Sequence, residues 1–431
     1  MTMSALPLQL LSDNARVEAD GSLSVGGCRV DEIAAEFGTP VFLYDEGHLR
    51  ARCQEAVAAF GHQKVVYATK AFLCKAMAKL AYDEGLLLDV ASGGELAVAL
   101  AAGVPANACT LHGNNKSVTE LREGIAAGVR HVIVDSFDEL DRLDALWAHG
   151  LRHADGGAPK VVLRITPGVS AHTHEFIATG QDDSKFGFNL RNGDAIKAVD
   201  RARRSDSVEL VGVHCHIGSN VFEASSFAKA AEVMADFAVP LDLPELVLGG
   251  GLGVAYIEGE EAPNIAQWGN VLLDACEALG VRSKVSVEPG RAIVASAAMT
   301  VYTVGTVKRI PGVRTFVSVD GGMSDNPRPV LYGSGYESFL PRAASAPRDL
   351  TARLVGKHCE SGDVLAFEAK LPADIAVGDL LAMPVTGAYG HSMGSNYNKI
   401  TRPPVVFAAH GDARLVVRRE TYDDLLRTDL G

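Results

Sequence analysis

Eight polar or glycine positions each close a short apolar run: Lys70, Asp89, His112, Asp135, Arg164, His216, Gly249-Gly250-Gly251 and Glu288. Lys70 ends Val65-Val66-Tyr67-Ala68-Thr69-Lys70, whose β-branched and aromatic residues read as a buried strand. An ammonium group carried into a buried position is unfavourable unless it is paired or loses its proton. Desolvation lowers a lysine pKa and frees the lone pair that an imine-forming lysine needs. For Lys70 alone, a strand-capping lysine that reaches water is the plainer reading. The seven companion positions shift the balance toward chemistry.

Glu288-Pro289-Gly290-Arg291, if buried, offers a carboxylate to a cationic ring nitrogen and a guanidinium to an anion. On the surface the same four residues would be a turn with an ion pair. Gly249-Gly250-Gly251-Leu252-Gly253 follows a strand, where glycines let backbone N–H groups cradle a phosphate, or simply make a tight turn. His214 and His216 are two apart and so are expected on one side of a strand. That pair, like His172 and His174, could bind metal, but no third ligand lies at a telling spacing and no metal is expected. A flat imidazole lying on a flat aromatic cofactor is the functional reading for one of them; a hydrogen-bonded core histidine is the plain one.

The elements that must position these groups follow from periodicity. Apolar runs occupy 65–70, 87–92, 109–114, 131–136, 161–167, 210–219, 246–251 and 285–291, and the first four starts are each 22 residues apart. Amphipathic segments such as 73–84 and 95–102 lie between them. Eight strand-and-helix units predict a closed (β/α)8 barrel with its reactive groups at the C-terminal strand ends. A doubly wound open sheet is the alternative, but no GxGxxG turn follows the first strand. Beyond Arg291 the helical period fades, and 299–310, 314–320, 363–369, 380–386 and 414–418 read as strands of a mostly β second domain. Short strands at 16–18 and 23–25 are expected to complete it. The domains are therefore drawn as 37–296 for the barrel, and 1–36 with 297–431 for a β-sandwich or Greek-key barrel.

Composition narrows the function classes. Among 431 residues, 22% are charged and the net charge is −13, which argues against nucleic acid or an anionic membrane as partner. No apolar run reaches the ~18 residues of a transmembrane helix, and no basic segment precedes the leucine-rich N-terminus, so no signal peptide is expected. The seven cysteines are scattered, odd in number and without a CxxC pair, which suits a reducing cytoplasm.

Tyr67-Ala68-Thr69-Lys70, Ser92-Gly93-Gly94-Glu95-Leu96, His214-Cys215-His216-Ile217-Gly218-Ser219, the glycine run and Glu288-Pro289-Gly290-Arg291 together resemble the fold-type III (group IV) pyridoxal-phosphate decarboxylases. Their order and spacing cover residues 41 to 300. Three further stretches resemble the diaminopimelate decarboxylase branch: 174–188, Asp325-Asn326-Pro327-Arg328-Pro329-Val330-Leu331-Tyr332 and Cys359-Glu360-Ser361-Gly362-Asp363.

The resemblance implies decarboxylation of meso-2,6-diaminopimelate to L-lysine and CO2, the last step of lysine biosynthesis by the diaminopimelate route. It implies pyridoxal 5'-phosphate as cofactor and a homodimer with shared sites. On it, Lys70 would hold the cofactor as a Schiff base, His216 would stack on the ring and Glu288 would pair with the pyridine nitrogen. Ser219, Gly250, Gly251, Pro289, Gly290, Arg291 and the Tyr389 hydroxyl would surround the phosphate. Asp89 and Arg164 would orient the ring and His216. Cys359, from the partner subunit, would donate the proton that replaces CO2. Arg291, Arg328, Tyr332, Tyr389 and Glu360 would hold the far end of the substrate. Two arginines facing nothing would disfavour a diamine precursor such as ornithine. A related ornithine, arginine or carboxynorspermidine decarboxylase is the enzyme alternative. A regulatory homologue that has lost its cofactor is the non-enzyme alternative, and it predicts loss of Lys70, Glu288 or Cys359, all of which are present.

Overall fold

The computed structural model describes residues 6–169 and 180–431. Contacts divide the chain into two compact units, one of residues 52–253 and 262–292, the other of 1–51, 254–261 and 293–431.

The first unit is a closed parallel barrel. Its strands are Val66–Ala68, Leu87–Val90, Cys109–Leu111, His131–Val134, Lys160–Thr166, Glu209–His214, Glu245–Val247 and Lys284–Ser286, each parallel to the next. All four residues of Leu87–Val90 and of His131–Val134 are buried, as strands covered on both faces must be. The sheet closes through the Val65–Val287 bridge and a hydrogen bond from Ala68 N–H to the Pro289 carbonyl at 3.1 Å. Ile133, Val162, Val211 and Val247 pack together as one apolar cluster drawn from four successive strands. The expected helices are present as Lys75–Asp83 and Gly93–Ala101.

The second unit centres on an eight-stranded, mostly antiparallel sheet in the order Val364–Leu371, Leu350–Val355, Arg314–Val319, Ala298–Ile310, Val41–Asp45, Val405–Ala409 and Asp412–Val417, with Leu380–Pro384 also paired to Ala298–Ile310. The early strands Ala15–Val17, Leu23–Val25 and Cys28–Arg29 do not join this sheet but form a three-stranded sheet of their own. They complete the unit through its core instead: Leu23, Val25 and Cys28 pack with Val41, Met299, Ala382 and Val406. The N-proximal strand that does enter the large sheet is Val41–Asp45, buried at every position.

Candidate active site

The C-terminal end of the barrel gathers the polar groups named from the sequence. The strand Val66–Ala68 stops before Lys70, which sits on a single 3-10 turn, Thr69–Ala71. Lys70 is exposed, in contrast to the buried lysine the run suggested, because the apolar strand ends two residues earlier and the turn opens toward the barrel mouth. Its turn is anchored from beneath. The Thr69 hydroxyl lies 2.7 Å from the Asp89 carbonyl and 3.0 Å from a Glu95 carboxylate oxygen, and that same oxygen accepts from Ala91 N–H at 2.6 Å. Ser92 caps the helix Gly93–Ala101 by accepting from Glu95 N–H. The Ser92–Leu96 stretch therefore holds the lysine turn.

Glu288 is buried, and each of its carboxylate oxygens meets a different imidazole: Oε1 lies 3.0 Å from His112 Nε2 and Oε2 2.9 Å from His214 Nε2. Burial by itself would raise this carboxyl, but the two imidazoles outweigh it and hold it well below the usual range. Burial lowers both imidazoles; at His112 Asp89 and Glu288 outweigh it and leave the ring raised, whereas at His214 burial prevails over Glu288 and keeps it lowered. Asp89 is pushed up to about 6 by burial, with the Glu288 charge adding to the rise while His112 and Lys70 oppose it. The side-chain N and O atoms of His112, His214 and Glu288 all lie within 4.8 Å of one another, a cluster that takes His214 but not His216 of the HxH pair and draws its other members from strands remote in sequence.

The barrel strand ends at His214, so the two-residue alternation does not carry through to His216, and the two histidines have different partners. His216 Nδ1 accepts from Gly250 N–H at 3.3 Å. Burial, reinforced by the charges of Lys70 and Arg164, holds this imidazole neutral. Arg164 lies over the Phe186 ring at 4.2 Å, and its guanidinium is 3.7 Å from Asp135.

The glycines answer a spatial demand. A Cβ on Gly250 would fall 2.0 Å from the Glu288 carbonyl oxygen, and one on Gly251, at φ +108°, 2.1 Å from the Gly218 carbonyl oxygen. Glu288 N–H donates to the Gly249 carbonyl at 2.6 Å, and Arg291 donates to the Ser219 hydroxyl at 2.8 Å. Gly290 is packed against Ala68 and Ala71, and Pro289, Gly290 and Arg291 are all buried.

The remaining named residues belong to the second unit. Arg328 opens the short helix Arg328–Tyr332 and is buried at 5% exposure. Its guanidinium lies 4.3 Å from the Tyr256 ring centre and donates to the Tyr336 hydroxyl at 2.5 Å. Among the described residues no carboxylate lies within ion-pair distance of it. Tyr332 and Tyr389 are half-buried, and Tyr389 takes a positive φ of 59°. Cys359 and Glu360 are exposed, whereas the other six cysteines are buried. Cys359 N–H donates to Asn398 Oδ1 at 3.0 Å. The call on His172 and His174 lies outside the described residues.

Residues 46–295 match the family model described as "Pyridoxal-dependent decarboxylase, pyridoxal binding domain". The chain is 45% identical over 430 residues to the diaminopimelate decarboxylase of Mycobacterium tuberculosis (strain H37Rv), covering 95% of each protein. With that of Bacillus subtilis (strain 168) it shares 43% over 435 residues, covering 97% of this chain and 98% of the other. The chain belongs to the diaminopimelate decarboxylase family. A solved structure of the M. jannaschii diaminopimelate decarboxylase in complex with L-lysine superposes with a TM-score of 0.89 at 32% identity, covering 97% of this chain and 98% of that one.

The family cofactor is pyridoxal 5'-phosphate, and the residues present fit it. The barrel end offers a glycine-walled cradle with no room for side chains, a buried carboxylate held ionised, and an exposed lysine beside them. Asp89 Oδ1 and His214 Nδ1 are buried without a hydrogen-bond partner, polar capacity that an apolar core would not retain.

Sequence reasoning placed His112 at a strand end but missed its contact with Glu288. It also missed Tyr256 and Tyr336 around Arg328, and the buried ion pair of Lys116 with Glu139 at 2.8 Å. None of these leaves a local spacing signal. Among the described residues no helix is long and apolar enough to cross a membrane.

Proposed function

We propose that this diaminopimelate decarboxylase family member removes CO2 from meso-2,6-diaminopimelate to give L-lysine. The observation that carries the substrate choice is Arg328, a buried guanidinium faced by tyrosines and by no carboxylate among the described residues. A buried cation without a counter-charge is unfavourable until an anion arrives. The distal carboxylate of diaminopimelate is such an anion, and ornithine has none.

When bound, pyridoxal 5'-phosphate supplies an electron sink for the pair left behind as CO2 departs. Lys70 would hold it covalently and yield to the substrate amine. Glu288, kept ionised by its two imidazoles, would pair with the ring nitrogen. Neutral His216 would lie flat against the ring, with Asp89 and Arg164 orienting both. Ser219, Gly250, Gly251, Pro289, Gly290, the Arg291 backbone and the Tyr389 hydroxyl would take the phosphate. Cys359 would deliver the proton to the carbon that lost CO2, since a thiol can donate to a carbanion. Arg291, Arg328, Tyr332, Tyr389 and Glu360 would fix the distal amino-acid head.

A homodimer with sites completed across its interface is part of this reading. It is supported by the exposure of Cys359 and Glu360, groups whose chemistry needs a partner surface. Seven free cysteines support a cytoplasmic setting.

Purified protein with pyridoxal 5'-phosphate and meso-diaminopimelate is expected to release CO2 and lysine in equal amounts. A panel including ornithine, arginine and carboxynorspermidine, run on wild type and Arg328→Ala, tests the substrate. Turnover of ornithine ahead of diaminopimelate by wild type would refute the assignment.

A further inference from the structure

We infer that His112 and His214 are positioning residues for Glu288: His214 hydrogen-bonds one carboxylate oxygen through Nε2, His112 sets its Nε2 at ion-pair distance from the other, and together they keep Glu288 ionised and aimed at the cofactor's ring nitrogen. This deepens the reading above and rests on it for the identity of the cofactor.

The three side chains converge from separate strand ends. His112 follows Cys109–Leu111, His214 closes Glu209–His214, and Glu288 follows Lys284–Ser286. They are 6%, 0% and 7% exposed. A carboxyl so deeply buried would ordinarily take up a proton, and a protonated Glu288 could not stabilise a charged ring nitrogen. An ionised carboxylate only accepts hydrogen bonds, so both imidazoles must present Nε2–H to it. His214 Nδ1 is buried with no hydrogen-bond partner, which fits one proton carried on Nε2 and a neutral ring. His112 also has Asp89 Oδ1 3.8 Å from its Nε2, so two carboxylates face that nitrogen and favour its protonated form. The two rings stand edge to face at 5.3 Å, so neither can rotate freely away from its oxygen.

The arrangement has a definite chemical effect. Glu288 Oε2 is engaged by His214 and Oε1 faces His112, which leaves lone pairs on the carboxylate for a further donor. A carboxylate that accepts one imidazole hydrogen bond and has a second imidazole nitrogen 3.0 Å from its other oxygen is a weaker base than a free one. A proton shared between it and the ring nitrogen therefore stays on the ring. Lys70 and Arg164 add to the electrostatic field there, Lys70 acting on Asp89 and Arg164 on both imidazoles, while His216 beside them stays neutral.

The experiment compares wild-type holoenzyme with His112→Ala, His112→Gln, His214→Ala and His214→Gln. The readouts are the 15N chemical shift of ring-labelled pyridoxal 5'-phosphate on the enzyme, together with kcat and KM. In each alanine variant the ring-nitrogen signal is expected to move toward the unprotonated position. The kcat is expected to fall about 10- to 100-fold, the usual effect of losing a group that orients a catalytic ligand, with a much smaller change in KM. The glutamines retain an N–H donor and are expected to recover part of the shift and of kcat. If an alanine variant does not fold, its glutamine counterpart still carries the ring-nitrogen measurement.

A ring-nitrogen signal identical to wild type in every variant, whatever the activity, would overturn the inference. So would one tightly held metal ion per chain in the active holoenzyme, since it would use the same lone pairs. Failure of the wild-type enzyme to bind the cofactor at all would instead reject the functional reading beneath it.

Discussion

Replacing Arg328 with methionine separates two effects that a buried cation usually combines. Methionine is long, unbranched and flexible, and fills much of the same space without the charge. In the folded protein the change removes one hydrogen bond to the Tyr336 hydroxyl and the cation–π contacts with Tyr256 and Tyr336, at 4.3 and 5.5 Å. These contribute about 1.5–3 kcal/mol and about 1–2 kcal/mol. Removing a buried guanidinium that lacks a carboxylate partner relieves a desolvation penalty of several kcal/mol. The terms oppose one another, so stability should change by no more than about 2 kcal/mol. Catalysis should behave differently. Truncating one member of a buried hydrogen-bonded charge pair costs about 2–5 kcal/mol. At 1.36 kcal/mol per tenfold, this is a loss of about 30- to 5,000-fold in kcat/KM for diaminopimelate. A diamino acid without the distal carboxylate should lose less than about 5-fold. The assay is lysine release by each substrate, paired with urea denaturation of the same preparations. Equal losses on both substrates, or destabilisation beyond about 4 kcal/mol, would refute the reasoning and make Arg328 a structural residue.

Lys116→Met should destabilise the barrel by about 3–5 kcal/mol, because it leaves the buried Glu139 carboxylate without its cation, and adding Glu139→Met should recover most of that in a double-mutant cycle followed by urea denaturation. Gly250→Ala should weaken pyridoxal 5'-phosphate binding at least about 10-fold in an absorbance titration, since the added Cβ meets the Glu288 carbonyl oxygen at 2.0 Å and overpacking of about 1–3 kcal/mol must be relieved by backbone movement. His131 gives a pH dependence: burial, opposed by Glu245, pushes its imidazole from 6.5 down to about 4, so the folded state favours the neutral ring. Its contribution is present above pH 6.5 and is lost as the pH falls toward 4, about 3 kcal/mol in all at 1.36 kcal/mol per pKa unit. Denaturation from pH 7 to 4 should show His131→Asn losing less stability than wild type by about that amount.

The barrel was legible in the sequence because its strands are covered on both faces and so appear as uninterrupted apolar runs. The even start spacing of Val65, Leu87, Cys109 and His131 reports a repeated strand–helix unit. The candidate site was legible to the same extent, since polar residues closing such runs have few structural uses. What local pattern could not supply was convergence. His112 and Glu288 are partners only because the sheet closes on itself. The exposure of Lys70 depends on the strand ending at Ala68, a boundary set by hydrogen bonding to the last strand rather than by residue type. In the β unit, Val405–Ala409 is an apolar run following Pro403-Pro404, a signal the sequence carried and the reading passed over. Leu350–Val355 sets Thr351 and Arg353 between apolar residues, a shorter and weaker alternation that was also passed over. The early strands have too little apolar surface to reveal which sheet they join, so their separate three-stranded sheet could be found only in three dimensions.

The strand Val41–Asp45 has a consequence for how the chain is made. Its neighbours in the sheet, Ala298–Ile310 and Val405–Ala409, lie on the far side of the barrel sequence. At 5–20 residues per second, a ribosome needs on the order of 10–50 s to supply the first of them. Throughout that interval Val41, Phe42, Leu43 and Tyr44 have both pairing edges unfilled, although all four are fully buried in the finished protein. The nascent chain thus carries a sticky apolar segment while the barrel behind it is still emerging. Yield at high expression should therefore depend on chaperone capacity during elongation, even when the mature enzyme is stable.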